Sequence, residues 1–185
     1  MERSELMAFP AAWSTEYLED TSHRRIVLEH YDREQLQLRR YLLFLGLDDE
    51  TGREIVQEVF LKLHEHVIAG RDQSNLRAWL YRVAHNLARN SQAAFHAART
   101  GALSDLPDGL EIPAAARTAE EELLAREQAV RLSRAMEELS AAQRECLVLR
   151  AQGLKYREIA DVLNLSTSTV GENIQRGLEK LKEIL

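Results

Sequence analysis

Apolar residues recur at intervals of three and four along most of the chain, and no convincing two-residue alternation appears. That period is helical, so the chain is expected to be all-α. The clearest run is Ile55, Val56, Val59, Phe60, Leu63 and Val67, which share one helix face. Ahead of it, Gly46 followed by Asp48, Asp49 and Glu50 reads as a helix stop and then the acidic first turn of the next helix. An earlier helix is expected over roughly Ser22 to Leu45, with Ile26, Leu36, Tyr41, Leu42 and Leu45 as its apolar residues. After the central run, Leu76, Trp79, Leu80, Val83, Ala84 and Leu87 form another stripe, with Ser74 as N-cap.

Helical spacing then lapses. Gly101, Pro107, Gly109 and Pro113 fall together in TGALSDLPDGLEIPAA, which has no helical period and reads as a flexible linker. Beyond it, a helix from about Glu120 to Leu139 uses Leu123, Leu124, Val130, Leu132, Met136 and Leu139. The next, Ala141 to Ala151, carries Cys146, Leu147 and Leu149 and ends at Gly153, a natural left-handed position. A short helix with Ile159, Ala160 and Leu163, a turn through Asn164 and Leu165, and a second helix capped by Ser166 make a helix-turn-helix pattern. The expected organisation is two small helical domains: an unassigned extension over 1–21, a first domain over 22–100, the linker over 101–119, and a helix-turn-helix domain over 120–185.

Composition changes this picture little, but the distribution of charge changes it more. The net charge of −6 argues against a protein that grips nucleic acid by bulk electrostatics. Yet Arg71, Arg77, Arg82, Arg89 and Arg99 face a single acid, Asp72, in their stretch. Directly after it, Asp105, Asp108, Glu111, Glu120, Glu121 and Glu122 face only Arg117, so a basic helical segment precedes an acidic connector. One cysteine, Cys146, excludes an internal disulfide framework and suits a reducing cytoplasm; on its apolar face it is expected to be buried packing. The N-terminus has no apolar signal core and no run is long enough to cross a bilayer, so a soluble cytoplasmic protein without membrane insertion is expected.

In the last helix, Val170, Ile174, Leu178, Leu181 and Leu185 are expected to face the core. Ser168, Thr169, Glu172, Gln175, Arg176 and Glu179 then fall on the opposite side. The pattern alone fits either a DNA-reading pair of helices, crossing closely at the small Ala160, or an ordinary hairpin with Glu172 and Arg176 as a solvated pair. His64 and His66 invite a metal reading, but side chains two apart on a helix diverge by about 200°, and no third ligand is near. His85 and His96 read as neutral surface residues. No nucleophile, base and orienting group stand at motif spacing, so neither enzyme chemistry nor a metal or cofactor is expected.

The segment LSAAQRECLVLRAQGLKYREIADVLNLSTSTVGENIQRGLEKL resembles the promoter-binding C-terminal region of sigma-70 family transcription initiation factors, and LuxR-type regulators share a similar helix-turn-helix. DETGREIVQEVFLKLHEH and NLRAWLYRVAHNLARN resemble the core region of the small, two-domain extracytoplasmic-function (ECF) sigma factors. This second match is the more specific, and together the two cover roughly Ser22 to Leu185. The resemblance implies a non-enzymatic initiation factor whose first domain binds the clamp helices of the largest core RNA polymerase subunit and helps open the minus-ten element. The second domain would read the minus-thirty-five element beside the polymerase flap, with an anti-sigma factor as a further candidate partner. A sigma-like adaptor that no longer initiates, and a LuxR-like DNA-binding regulator, are the alternatives.

On this resemblance, Gln57, Glu58, Phe60 and Lys62 carry over as polymerase-binding residues, with Phe60 also on the core stripe. Asn75, Arg77, Trp79, Arg82, Asn86 and Arg89 carry over to promoter melting, and Tyr81 lies in the same segment. Melting needs phosphate neutralisation, stacking surfaces and groups that bond an unpaired base. Trp79 is read as core first and as a base-stacking surface second. The acidic linker would suit a basic RNA exit path, or be merely solvated. For the minus-thirty-five element the candidates are Lys155, Tyr156, Arg157, Ser166, Thr167, Ser168, Thr169, Glu172, Gln175 and Arg176. Glu172 can accept from cytosine, Gln175 can bond adenine, and Arg176 can take guanine or phosphate. Where the family commonly has basic residues, this chain has Gly171 and Asn173, so phosphate contacts would fall to Arg144, Lys155, Arg157, Lys180 and Lys182.

Overall fold

Glycine, asparagine and short polar residues set the ends of the helices in the computed structural model of the chain, which describes residues 21–98 and 119–185. The 1–20 part of the N-terminal extension and nearly all of the acidic linker lie outside the described residues. Seven helices and no strand occur among the described residues, as the period of the apolar positions implies. The chain divides into two compact units, with the boundary between Ala102 and Leu103.

The first unit packs α1 (Thr21–Phe44), α2 (Asp49–Ile68) and α3 (Leu76–Ala98) against one another. Gly46 reverses the chain after α1 at a φ of +87°, and Asp48 starts α2 by accepting from the Thr51 amide and hydroxyl at 2.9 and 2.8 Å. The apolar residues foreseen for α2 are all buried, and Phe60 meets Tyr31 of α1 edge-on at 4.9 Å.

On α1 the buried face differs from the expected one. Val27, Tyr31, Leu38, Tyr41 and Leu42 fill it, whereas Ile26 and Leu45 are half-buried and Leu36 is exposed. Glu34 occupies the missing turn of that face, buried because Arg77 of α3 meets its carboxylate at 3.0–3.1 Å. The α3 stripe is likewise rotated from the expected one. Leu76, Ala78, Leu80, Tyr81, Ala84, His85 and Ala88 are buried, while Trp79, Val83 and Leu87 are only half-buried. His85 is therefore not a surface residue: it lies under α1, sharing a 2.9 Å hydrogen bond with the Tyr41 hydroxyl. Burial, with Arg89 nearby, pushes its pKa down to about 4 and keeps it neutral at pH 7. His96 lies outside the described side chains.

The second unit comprises α4 (Ala119–Glu137), α5 (Ala141–Ala151), α6 (Tyr156–Leu163) and α7 (Thr167–Ile184). Ser140 and Gln143 form a capping box that starts α5, and Gly153 at a φ of +86° follows its end. Cys146 and Leu149 of α5 are buried, together with Leu154, Ile159, Ala160, Val162, Val170 and Ile174. Ala135 of α4 and Leu139 just beyond it are buried, the latter as expected, while Val130 and Leu132 are exposed, contrary to the expected stripe; Leu123 and Leu124 lie outside the described side chains.

The seat of α7 also departs from expectation. Leu178 is 46% exposed and Leu185 is exposed too, whereas Gly177 is buried. A Cβ on Gly177 would stand 2.8 Å from Leu147 Cδ1, so a side chain there would have to displace Leu147 where α5 and α7 approach. No helix among the described residues is long and apolar enough to cross a membrane.

Candidate functional site

Three surfaces carry the residues singled out by sequence. The first is the outer face of α2, where Gln57 and Glu58 are exposed and Lys62 reaches Glu58 at 3.4 Å, one turn on. Leu61 is exposed beside them. Phe60 does not belong to this surface: it is 0% exposed, so it can hold the helix in place but cannot touch a partner.

The second surface is on α3. Trp79, Arg82, Asn86 and Arg89 follow the three- and four-residue spacing of a single face, and the last three are exposed. The helix contains no acidic residue, so its arginines act on an unopposed face. Arg77 points elsewhere. It lies on the same side of α3 as the buried Tyr81, Ala84 and Ala88 and is paired with Glu34, which makes it a clamp between α1 and α3 rather than a free outward charge. Asn75 starts the helix in place of Ser74, accepting from the Ala78 amide through its side chain at 3.3 Å and from the Trp79 amide through its carbonyl at 3.1 Å. Ser74 instead donates its amide and hydroxyl to the Asp72 carboxylate.

Trp79 is not a core residue. Its ring lies against His66, with centroids 4.6 Å apart, and it remains partly open to solvent. His66 in turn donates from Nε2 to the Asp72 carbonyl at 2.8 Å. No group of three or more possible metal ligands is found among the described residues.

The third surface surrounds the start of α7. The Ser166 hydroxyl caps the helix, accepting from the Thr169 amide at 3.1 Å and exchanging hydrogen bonds with the Ser168 and Thr169 hydroxyls at 2.8 and 2.7 Å. Thr167 is exposed beside them, while Thr169 is half-buried by this cluster. Glu172, Gln175, Arg176 and Glu179 are exposed on successive turns. Arg176 sits 3.9 Å from Glu172, and Gln175 donates to Glu179 at 3.0 Å, so both candidate donors rest on a carboxylate of their own helix. These solvent-exposed pairs are weak and open readily. Asn173 turns back to donate to the Thr169 carbonyl at 2.9 Å.

Lys155, Tyr156 and Arg157 are exposed at the start of α6, where the Glu158 carboxylate accepts from the Lys155 amide at 2.7 Å. The Tyr156 ring faces Gly171 of α7, 3.7 Å from where a Cβ would stand. Arg150, which is not among the residues expected from sequence, places its guanidinium 5.7 Å from the centre of that ring and donates to the Leu154 carbonyl at 3.0 Å. A basic residue in the last turn before Gly153 was the available signal. Lys180 is engaged as well, donating to the Glu138 carbonyl just beyond α4, which takes it from the set of outward phosphate contacts.

Comparison with known proteins covers both units. The family model for sigma-70 region 2 matches residues 30–94, and that for sigma-70 region 4 matches residues 129–181. The RNA polymerase sigma factor SigZ of Bacillus subtilis is 31% identical over 157 residues, 84% of each chain. The ECF RNA polymerase sigma factor SigK of Mycolicibacterium vanbaalenii is 28% identical over 163 residues, covering 84% of this chain and 79% of the relative. Among solved structures, the sigma factor RpoE in complex with the anti-sigma factor NepR from Bartonella quintana has a TM-score of 0.66 at 19% identity, covering 86% of this chain and 96% of that one. That likeness is one of fold. Neither a LuxR-type regulator nor a non-initiating adaptor is favoured by these matches.

Proposed function

Because the chain belongs to the ECF group of the sigma-70 family and directs RNA polymerase to promoters, we propose how its surfaces divide that work. The outer face of α2, with Gln57, Glu58 and Lys62, docks on the clamp helices of the largest core polymerase subunit. The face of α3 with Trp79, Arg82, Asn86 and Arg89 engages the minus-ten element as it opens, with Asn75 and Arg77 placing that helix. The start of α6 and the outer face of α7 read the minus-thirty-five element beside the flap, through Lys155, Tyr156, Arg157, Ser166, Thr167, Ser168, Thr169, Glu172, Gln175 and Arg176. The work is done in the cytoplasm, without catalysis, metal or cofactor.

One observation carries this reading: α3 sets two arginines and an asparagine on one exposed face and holds no acid, inside a chain of net charge −6. Such local segregation serves a polyanion. The α2 face, with acid and amide groups beside an exposed leucine, suits a protein partner instead. An anti-sigma factor is a further partner, supported by the complex formed by the structurally similar RpoE.

The test is co-elution with bacterial core RNA polymerase. Wild-type protein is expected to co-elute, and a Gln57→Ala/Glu58→Arg variant, which alters only exposed groups, is expected to lose the complex while keeping its helix content. Equal co-elution of the two would remove α2 from the interface. No co-elution of folded wild-type protein would sink the reading.

A further inference from the structure

The geometry points to His66 as a positioning residue for promoter opening: from the inner side of α2 it fixes both the path of the 69–75 loop and the ring of Trp79. This rests on the reading that the α3 face headed by Trp79 meets the opening promoter. The sequence treated His66 only as a failed metal ligand.

Every residue of the loop is exposed, so the loop has no apolar side chain of its own to anchor it. Gly70 turns at a φ of +62°, the Arg71 amide donates to the His66 carbonyl at 3.2 Å, and the Asp72 carboxylate collects the Ser74 amide and hydroxyl. These bonds shape the loop and join its two ends to α2 and α3. The His66 side chain adds a hold on its middle. It is only 8% exposed, its Nε2 donates to the Asp72 carbonyl at 2.8 Å, and its ring packs on Trp79 at 4.6 Å.

The same imidazole thus holds the middle of the loop and one face of the indole at the head of the Trp79, Arg82, Asn86 and Arg89 stripe. An indole held from behind presents a fixed edge and face to an unstacked base, without ordering a side chain at the moment of opening. His66 also lies on α2 itself, eight residues beyond Glu58 and so about 12 Å along the helix. The docking face and the loop that leads into α3 are therefore both set by α2.

The experiment uses holoenzyme made from core polymerase and full-length protein, on a duplex that the wild-type holoenzyme selects from a random-sequence pool. Opening is read as permanganate reactivity of unpaired thymines. His66→Ala is expected to lower opening roughly tenfold, the combined effect of one buried hydrogen bond and one ring contact, with co-elution unchanged. His66→Gln, which keeps an N–H for the Asp72 carbonyl, is expected to recover part of that loss. In a Trp13→Phe background, His66→Ala is expected to shift Trp79 emission to the red.

Opening at the wild-type level by His66→Ala would overturn the assignment. A matching fall in thermal stability and co-elution would also overturn it, since His66 would then serve the fold alone. Wild-type holoenzyme that selects no duplex would sink the promoter reading itself, and the role of His66 with it.

Discussion

At the scale of single residues, burial decides what the titratable groups can do. His85 is an ordinary imidazole in the unfolded chain and is held near 4 in the folded one, first by burial and then by Arg89. Between the ordinary imidazole value of 6.5 and about 4 the unfolded state therefore binds more protons, and stability falls as pH drops through that window. The fall is at most about 1.4 kcal/mol per pH unit. Melting temperatures at pH 7, 6 and 5 are expected to decline more steeply for wild type than for His85→Gln. Asp48, Asp49 and Asp72 act elsewhere on the scale: their pKa values lie below 3.8, through the Thr51 amide, Arg39 and the Ser74 amide respectively. Their contribution is lost only at lower pH. Cys146 is pushed up to about 11 by burial and by Glu145, so its thiolate is scarce at pH 8. Alkylation by iodoacetamide is expected to be slow until denaturant is added, and rapid labelling of the folded protein would contradict its buried place.

At the scale of elements, legibility in the sequence followed the chemistry of each buried face. The α2 stripe was plain because every buried turn of it carries an aliphatic or aromatic residue, except for His66 and Gly52. The faces of α1 and α3 were misread where the core uses Glu34, His85 and alanines, which no hydrophobic period detects. Arg77 looked like outward charge because its partner lies 43 residues earlier, beyond any local rule. The helix-turn-helix was legible almost to the residue, since Gly153, Asn164 and Ser166 mark backbone and capping positions that the local chain alone requires. Leu178 was misassigned because Gly177 takes the contact. Replacing Gly177 by Leu should overpack the contact with Leu147 and cost about 2 kcal/mol or more in urea unfolding. Ser166→Ala, which loses the α7 cap, should cost about 1 kcal/mol in the same assay.

At the scale of the whole molecule, charge is rationed by location. The start of α7, proposed to face DNA, has Gly171 and Asn173 where basic residues would add phosphate contacts, and Lys180 is turned toward Glu138. Tyr156 stands at ordinary contact distance from a Cβ at Gly171, so a side chain can be added there. Gly171→Arg with Asn173→Arg is expected to tighten DNA binding and steepen its salt dependence by about two phosphate contacts. Filter binding across a salt series would show it, and an unchanged slope would place α7 away from the backbone. The buried positions that seat α7 are Val170, Ile174 and Gly177, and none of them is among its exposed residues Glu172, Gln175, Arg176 and Glu179. On the proposed reading, specificity and architecture are written on separate letters of one helix: exchanging those four outward positions as a set is expected to retarget the factor to another promoter while leaving untouched the socket that receives the helix.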